Sequence, residues 1–166
     1  MMRNIRIYLS LFLLGVFLSA CGGIGSKSSS QKREYFTLKN ESFRQEIVLY
    51  SIGLLNTRYQ FGGSNPEAGL DCSGMVAYVV EQVSGQRLPH NASQIAYATR
   101  SVEYKNLQVG DLVFFNTSGK AYSHMGIYIG DNKFIHAPSS KGQVRIEALS
   151  SAYFASRLMG ARTFFE

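Results

Sequence analysis

One cysteine and two histidines have the types and surroundings that nucleophilic catalysis needs. Cys72 lies in the tetrapeptide Asp-Cys-Ser-Gly at residues 71–74, directly before the apolar run of residues 75–80. An aspartate in this place is a good helix N-cap, so a helix is predicted to begin at Cys72. The unpaired N–H groups and the positive end of the helix dipole there favour a thiolate. Because a thiolate attacks carbonyl carbons, Cys72 is the candidate nucleophile.

The two histidines belong to predicted strands that a short turn joins. His124 is near the start of one strand segment and His136 is late in the next, with Gly-Asp-Asn at residues 130–132 between them. Antiparallel pairing brings such positions together across the ladder. We therefore expect His124 to take the proton of the Cys72 thiol and later give it to the leaving amine. His136 is expected to bind the other ring nitrogen of His124 and fix its tautomer.

The elements that must position these residues change type about half-way along the chain. Apolar residues at helical spacing predict three helices, at about residues 41–57, 72–83 and 91–99. Short apolar segments between turn residues then predict five strands, at about residues 111–115, 124–129, 133–137, 143–149 and 158–165. Of these, residues 143–149 alternate as a half-solvated strand would, and residues 150–154 are predicted to form a helical turn. Helices first and antiparallel strands afterwards predict an α+β fold.

The N-terminus has the pattern of a secretory signal. Arg3 and Arg6 precede an apolar stretch at residues 7–18 that is too short for a comfortable transmembrane span. The sequence Leu-Ser-Ala-Cys that ends at Cys21 resembles the bacterial lipobox, in which the cysteine after the cleaved bond carries lipid. We predict a lipoprotein signal peptide over residues 1–20 and a lipid anchor that includes palmitate on Cys21. The alternative is an ordinary signal peptide with an incidental cysteine.

The rest of the chain divides into a tether and one domain. Residues 21–40 are predicted to be the lipidated cysteine and a flexible tether, because Gly, Ser, Lys and Gln dominate the first part of this segment. A single catalytic domain is expected over residues 41–166. The formal net charge of +6 comes from scattered basic residues, which favour an anionic surface such as phospholipid or an acidic wall polymer and not nucleic acid. A lipidated Cys21 would not form a disulfide with Cys72.

Five motifs appear in the order of a known family. They are Tyr-x-Phe-Gly-Gly at 59–63, Asp-Cys-Ser-Gly at 71–74, Gly-Asp-Leu-Val-Phe-Phe at 110–115, Ser-His-Met-Gly-Ile-Tyr at 123–128 and Phe-Ile-His-Ala at 134–137. Over most of residues 41–166 the chain resembles the NlpC-type cysteine peptidases, a papain-like superfamily of bacterial cell-wall hydrolases. The resemblance implies a permuted papain-like domain with N-terminal helices packed on an antiparallel sheet.

The resemblance also implies the roles of individual residues. It gives the nucleophile, the base and the third polar residue to Cys72, His124 and His136. It implies that Tyr59 points its hydroxyl at this site and helps to hold the oxyanion or the substrate, and that Ser73 and Asp71 line the same cleft. Relatives often have Trp in place of Phe61 and Arg in place of His90, which we expect to be a surface loop residue.

A lipoprotein with one such domain looks most similar to the murein endopeptidases of Gram-negative outer membranes. The implied partners are peptidoglycan and a membrane, at the periplasmic face of the outer membrane, with no cofactor. The implied reaction is hydrolysis of peptide bonds near diaminopimelate, in stem peptides or cross-links.

Several alternatives to this function stay open. One is an amidase that cuts between sugar and peptide, and another is a catalytically silent peptidoglycan-binding lipoprotein on the same scaffold. Cys72, His124 and His136 are also residue types that bind zinc, although the chain has no His-Glu-x-x-His motif. A serine hydrolase is unsupported, because no Gly-x-Ser-x-Gly motif is present.

Overall fold

A computed structural model describes residues 34–139 and 142–166. In this part of the chain the helices are α1 Phe43–Gly53, α2 Cys72–Ser84, α3 Ala92–Ala98 and α4 Ala152–Ala155, with a 3₁₀ turn at Tyr104–Asn106. The strands are β1 Ser64–Asn65, β2 Gly69–Leu70, β3 Arg100–Val102, β4 Leu112–Phe115, β5 His124–Gly130, β6 Lys133–His136, β7 Arg145–Ala148 and β8 Leu158–Thr163. Each helix in these two ranges is too short or too polar to span a bilayer.

One six-stranded sheet forms the centre of the fold. Its strand order is β3-β8-β4-β5-β6-β7, and every neighbouring pair is antiparallel. Strands β4 to β7 lie side by side in chain order, while β8 returns next to β4. Three of the helices precede these four strands in the sequence, so the predicted α+β fold is confirmed.

Strand β4 is buried on both faces. Leu112 and Phe114 belong to the larger core cluster, to which α1 and α2 contribute. Val113 and Phe115 belong to a second cluster that includes Phe154 of α4. Successive side chains of a strand point to opposite faces, so the two clusters cover the two sides of the sheet. This explains why β4 reads as a continuous apolar run instead of an alternating one.

The chain around Cys72 sets where α2 begins and ends. Asp71 is extended, and its side chain accepts a hydrogen bond from the backbone N–H of Gly74 at 2.7 Å. At the other end Gly85 adopts a left-handed conformation with φ of 71° and donates its N–H to Glu81. Both ends match the sequence prediction, and the N-cap places Cys72 in the first turn of the helix.

The turn between β5 and β6 sets the register of the histidine strands. Asp131 and Asn132 both have positive φ, at 49° and 58°, as a tight two-residue hairpin turn requires. The resulting register pairs Ile127 with Ile135. Gly126 therefore lies opposite His136 in the ladder, one pair farther along.

The folded part begins before residue 41. Leu38 is fully buried, bridges to Phe165, and donates its backbone N–H to Phe164 at 2.6 Å. The ring of Phe36 packs edge-on against Phe164, with centroids 6.1 Å apart. The prediction that a flexible tether extends to residue 40 is therefore wrong for these residues. Removing the apolar side chains of Phe36 and Leu38 from water favours the packed arrangement over a solvated linker. Residues 1–20 and Cys21 lie outside the described part of the chain.

Helix α1 is shorter than predicted, and three short strands were not predicted. Helix α1 spans Phe43–Gly53 and not residues 41–57. Asn56 has a φ of 70°, which a right-handed helix cannot include. The strands β1, β2 and β3 are only two or three residues long, which is too short to show an alternating apolar pattern. Only β2 among these three is buried at every residue.

Gly126 is a position where the histidine strands require glycine. A Cβ atom there would lie 2.6 Å from the carbonyl oxygen of Ile135, 2.6 Å from Cδ2 of Phe134 and 3.1 Å from Cβ of His136. The absence of a side chain therefore lets the rings of Phe134 and His136 lie against β5.

We expect Gly126→Ala to lower the free energy of unfolding by about 1–3 kcal/mol, because the methyl group overpacks β5 against β6. The matched control is Gly53→Ala, where a Cβ would meet nothing within 4 Å. That change should raise the free energy of unfolding by about 0.5–1 kcal/mol, since alanine is the better helix former. Urea unfolding of both variants measures the difference, and equal effects would contradict the close packing at residue 126.

Candidate active site

A groove of about 620 Å³ lies where the start of α2 meets the start of β5. Its ionisable lining residues are Tyr59, Asp71, Cys72, His90, Lys120, Tyr122, His124 and Tyr153. A larger groove of about 750 Å³ lies between α1 and α2, but its described lining is mainly Leu, Tyr and Val and includes no Cys or His. The smaller groove is therefore the candidate site, because it has the residues that can do chemistry.

Two imidazoles lie in direct contact beside this groove. Nε2 of His124 is 2.7 Å from Nδ1 of His136, and the side chains are almost wholly buried. The ring of Phe154 packs on both, with centroid distances of 6.3 Å and 5.1 Å. The expected meeting of the two strand histidines is thus present in the structure. Since Nε2 of His124 faces His136, Nδ1 is the nitrogen of His124 that is left to serve the groove.

Burial keeps the imidazole pair neutral. It lowers the pKa of His124 to about 4, and the positive charge of Arg145 acts in the same direction. The carboxylate of Asp71 acts against this lowering. Burial also lowers the pKa of His136, aided by His124 and Arg145. Both rings are therefore uncharged at neutral pH, and a neutral imidazole is the form that can accept a proton.

Cys72 is half-buried and lies in the groove wall. Burial raises the pKa of the Cys72 thiol to about 11, and the neighbouring carboxylate of Asp71 raises it further. The backbone N–H groups of Met125, Ser73 and Cys72 itself act in the opposite direction but do not outweigh burial. The helix start is expected to favour a thiolate at Cys72; in the substrate-free protein, burial of the sulfur opposes that effect and favours the thiol.

Asp71 connects four groups around the nucleophile. Its Oδ1 accepts hydrogen bonds from Gly74 N–H at 2.7 Å, from the Ser73 hydroxyl at 3.0 Å and from Nε2–H of His90 at 2.9 Å. Its Oδ2 accepts one from Gly62 N–H at 2.9 Å. Burial raises the pKa of Asp71, but the hydrogen bonds from Gly74, His90 and Ser73 outweigh burial and hold that pKa below its usual value. Asp71 thereby joins the Gly-rich loop to the start of α2.

The structure brings the other predicted site residues to the same groove. Ser73 and Asp71 both line it, and their side chains bind each other. Tyr59 lines it as well, next to a parallel bridge between Tyr59 and Leu70. Burial raises the pKa of Tyr59, and the Asp71 carboxylate and the ionised form of Cys72 raise it further. The phenol is therefore within electrostatic reach of the nucleophile, while Cys21 lies outside the described residues.

His90 lines the groove, although the sequence predicted only a surface loop residue at this position. It is exposed, as expected, but its ring lines the groove and binds Asp71. Nineteen positions separate these two partners, so no local pattern connects them. The only signal in the sequence was the difference from relatives that carry Arg at this position.

The described residues include no group of three or more His, Cys, Asp or Glu side chains that could hold a metal ion. The zinc alternative therefore has no geometric support among them.

Comparison with known proteins gives the family. Residues 56–163, which are more than half of the chain, match the NlpC/P60 family model. The chain belongs to the NlpC/P60 family. Every candidate catalytic residue lies inside the matched range, and the family explains the order of the motifs.

Among NlpC/P60 relatives, the chain is 32% identical over 166 residues to "Murein DD-endopeptidase MepS/Murein LD-carboxypeptidase" of Escherichia coli. That match covers 90% of this chain and 87% of the relative. The chain is 37% identical over 107 residues to "Murein DD-endopeptidase MepH" of Escherichia coli, covering 63% of this chain and 40% of the relative. It also spans less than half the length of two other curated relatives, a gamma-DL-glutamyl hydrolase of Bacillus subtilis and a probable endopeptidase of Escherichia coli.

A solved NLP/P60 structure from Staphylococcus aureus, described as similar to lipoprotein, has the same fold. It superposes with a TM-score of 0.67 at 30% sequence identity, covering 83% of this chain and 45% of the other. The helix-and-antiparallel-sheet architecture is therefore the NlpC/P60 architecture.

The protonation states above predict how Cys72 responds to an alkylating agent. The thiol is neutral up to a pKa of about 11, so we expect its alkylation rate to rise with pH from 6 to 10 by roughly tenfold per unit. Iodoacetamide labelling of a Cys21→Ser variant, followed by mass spectrometry, measures Cys72 alone. A rate that is flat from pH 5 to 9 would instead indicate a thiolate–imidazolium pair and contradict this assignment.

Proposed function

We propose that this chain is a lipid-anchored cysteine endopeptidase that hydrolyses peptide bonds of peptidoglycan, in stem peptides or cross-links near diaminopimelate. The observation that carries the proposal is the 2.7 Å contact between His124 and His136 beside a groove that also contains Cys72. Family membership and the names of the relatives, which include two murein DD-endopeptidases, support the same substrate.

The first chemical step forms a thioester. Sγ of Cys72 attacks the amide carbonyl carbon while Nδ1 of His124 takes the thiol proton, so the neutral pair becomes an imidazolium only as the carbon–sulfur bond forms. The tetrahedral intermediate collapses when the carbon–nitrogen bond breaks, and His124 gives its proton to the leaving amine. Water then attacks the thioester, His124 takes a proton from it, and the sulfur leaves with that proton.

The developing oxyanion needs hydrogen-bond donors near the sulfur. The backbone N–H groups of Cys72 and Ser73 are at the start of α2, where no helical carbonyl accepts from them. The Tyr59 hydroxyl is the proposed side-chain donor to the oxyanion, and it remains protonated because its pKa is raised. Asp71 supports this arrangement from behind by capping the helix and binding Ser73.

His136 acts in this scheme through His124. When Nδ1 of His136 accepts a hydrogen bond from Nε2–H of His124, the Nδ1 atom of His124 has no proton and can act as a base. A carboxylate or an amide has this orienting role in other catalytic triads. His136 is neutral, so it orients the base without adding a negative charge.

The location of the enzyme is a further part of the proposal. The lipobox-like Leu-Ser-Ala-Cys sequence supports lipidation at Cys21, and the envelope of a Gram-negative bacterium would place the anchor in the outer membrane, facing the periplasm. A lipid anchor on that face would hold the enzyme next to peptidoglycan. The resemblance to wall hydrolases and the mild basic charge agree with such a surface.

We expect Cys72→Ala to abolish cleavage of purified peptidoglycan, with at least about a 10³-fold loss in rate, because no other group can form the thioester. Chromatography and mass spectrometry of the muropeptides measure the products under reducing conditions. The matched control is Ser118→Ala, a groove residue outside the proposed machinery, which should keep its rate within about twofold. Cleavage by Cys72→Ala at the wild-type rate would overturn the proposal, and release of intact stem peptides from glycan would indicate an amidase.

Lipidation is tested separately in cells. We expect Cys21→Ser to lose palmitate labelling and to leave the membrane fraction, since the only proposed acyl attachment site is removed. Cys72→Ala should keep both the label and the membrane association, because its thiol is not the lipidated one. Palmitate labelling that persists in Cys21→Ser would contradict an anchor at this position.

A further inference from the structure

Strand β7 places a charged pair next to the imidazoles. The β6–β7 register sets Arg145 directly opposite His136 and Glu147 directly opposite Phe134. Directly opposed residues of an antiparallel pair point to the same face, with Cβ atoms about 4.5–5.5 Å apart. The side chains of Arg145 and Glu147 therefore share the sheet face on which His136 meets His124.

The two charges are held together at this edge of the sheet. Nε of Arg145 lies 2.8 Å from Oε1 of Glu147, and their side chains are 24% and 30% exposed. Charges that are mostly removed from water are screened less by salt than surface charges. The Arg145 charge is thus able to act on a buried ring nearby.

The electrostatic effect of Arg145 extends to both rings. Its positive charge lowers the pKa of His124 and of His136, in each case in the same direction as burial. The other ionisable groups along the groove are Tyr59, Asp71, Cys72, His90, Lys120, Tyr122 and Tyr153. Of these, the Asp71 carboxylate acts on His124 in the opposite direction to Arg145. His124 is therefore acted on in opposite directions by a cation on β7 and by the carboxylate that caps α2.

We propose that Arg145 is a positioning residue which, balanced by Glu147, sets the acid limit of the reaction by acting on the His124–His136 pair. This inference rests on the proposed peptidase function. A cation beside the pair keeps His124 unprotonated in acid, so the base remains available there. The same cation makes the imidazolium formed during attack less stable, which costs rate at neutral pH. Glu147 offsets part of that cost.

The test measures kcat/KM against pH from 4 to 8 on one purified muropeptide, using full-length protein. Arg145→Gln should move the acid limb to higher pH by about 0.5 units or more, and raise the rate at pH 8, because the base becomes stronger. Glu147→Gln should move the limb to lower pH and reduce the rate at pH 7. Arg145→Lys keeps the charge and should restore the wild-type profile.

The matched control is Lys133→Gln, which removes one cation from the same sheet. Lys133 lies on β6 three residues before His136 and therefore points to the opposite face. Its pH profile should equal that of the wild type. A direct readout comes from NMR titration of the His124 imidazole in a Cys72→Ala background, where Arg145→Gln should raise the titration midpoint and Glu147→Gln should lower it.

The outcomes separate this inference from the proposed function. Unchanged acid limbs and unchanged His124 midpoints in both charge variants would overturn it. A loss of rate that is equal at every pH, with no change in midpoint, would show that the pair only supports the fold and would overturn it as well. If the wild type cleaves no peptidoglycan, the proposed function fails, while the NMR midpoints still decide whether Arg145 controls the imidazoles.

Discussion

The site depends on one hydrogen bond between two buried imidazoles. His124 and His136 meet at 2.7 Å where almost no water reaches, so burial keeps both rings uncharged and one nitrogen of each ring is satisfied by the other ring. The arrangement has a cost, since Nε2 of His136 is buried with no hydrogen-bond partner among the described residues. Gly126 and Phe154 make the contact possible, the first by leaving room and the second by excluding water. Because His136 is buried in this way, it is neutral while it orients the ring of His124.

Burial of the sulfur has a second consequence for the chemistry. A thiol with a pKa of about 11 beside an imidazole with a pKa of about 4 rests as a neutral pair. In the proposed mechanism, charge then appears only when a substrate carbonyl accepts the sulfur, so that general-base catalysis by His124 is coupled to attack by Cys72. A substrate that enters the groove brings the oxyanion to the donors at the start of α2, and there the helix dipole contributes where negative charge develops.

Asp71 connects this chemistry to the fold. The same carboxylate caps α2, binds the Ser73 hydroxyl, holds His90 in the groove wall and fixes the Gly62 loop. The first two of these interactions, to Gly74 and Ser73, lie within three residues of Asp71 and are local enough to read from sequence spacing. The others join segments that approach each other after the chain has folded. The Asp71 side chain thus both caps α2 and joins three segments of the groove wall. Its removal would therefore affect several parts of the site together.

The sequence alone determined the start of α2 at Cys72, the hairpin that pairs the histidine strands and the α+β class, because caps, tight turns and apolar periodicity act within a few residues. It also pointed to the NlpC/P60 family. Tertiary structure alone decided the burial that raises the pKa of the Cys72 thiol, the place of His90 against Asp71, and the packing of Leu38 against Phe164 and Phe165. Each of these depends on desolvation or on contact between distant segments, and neither quantity is encoded in local spacing.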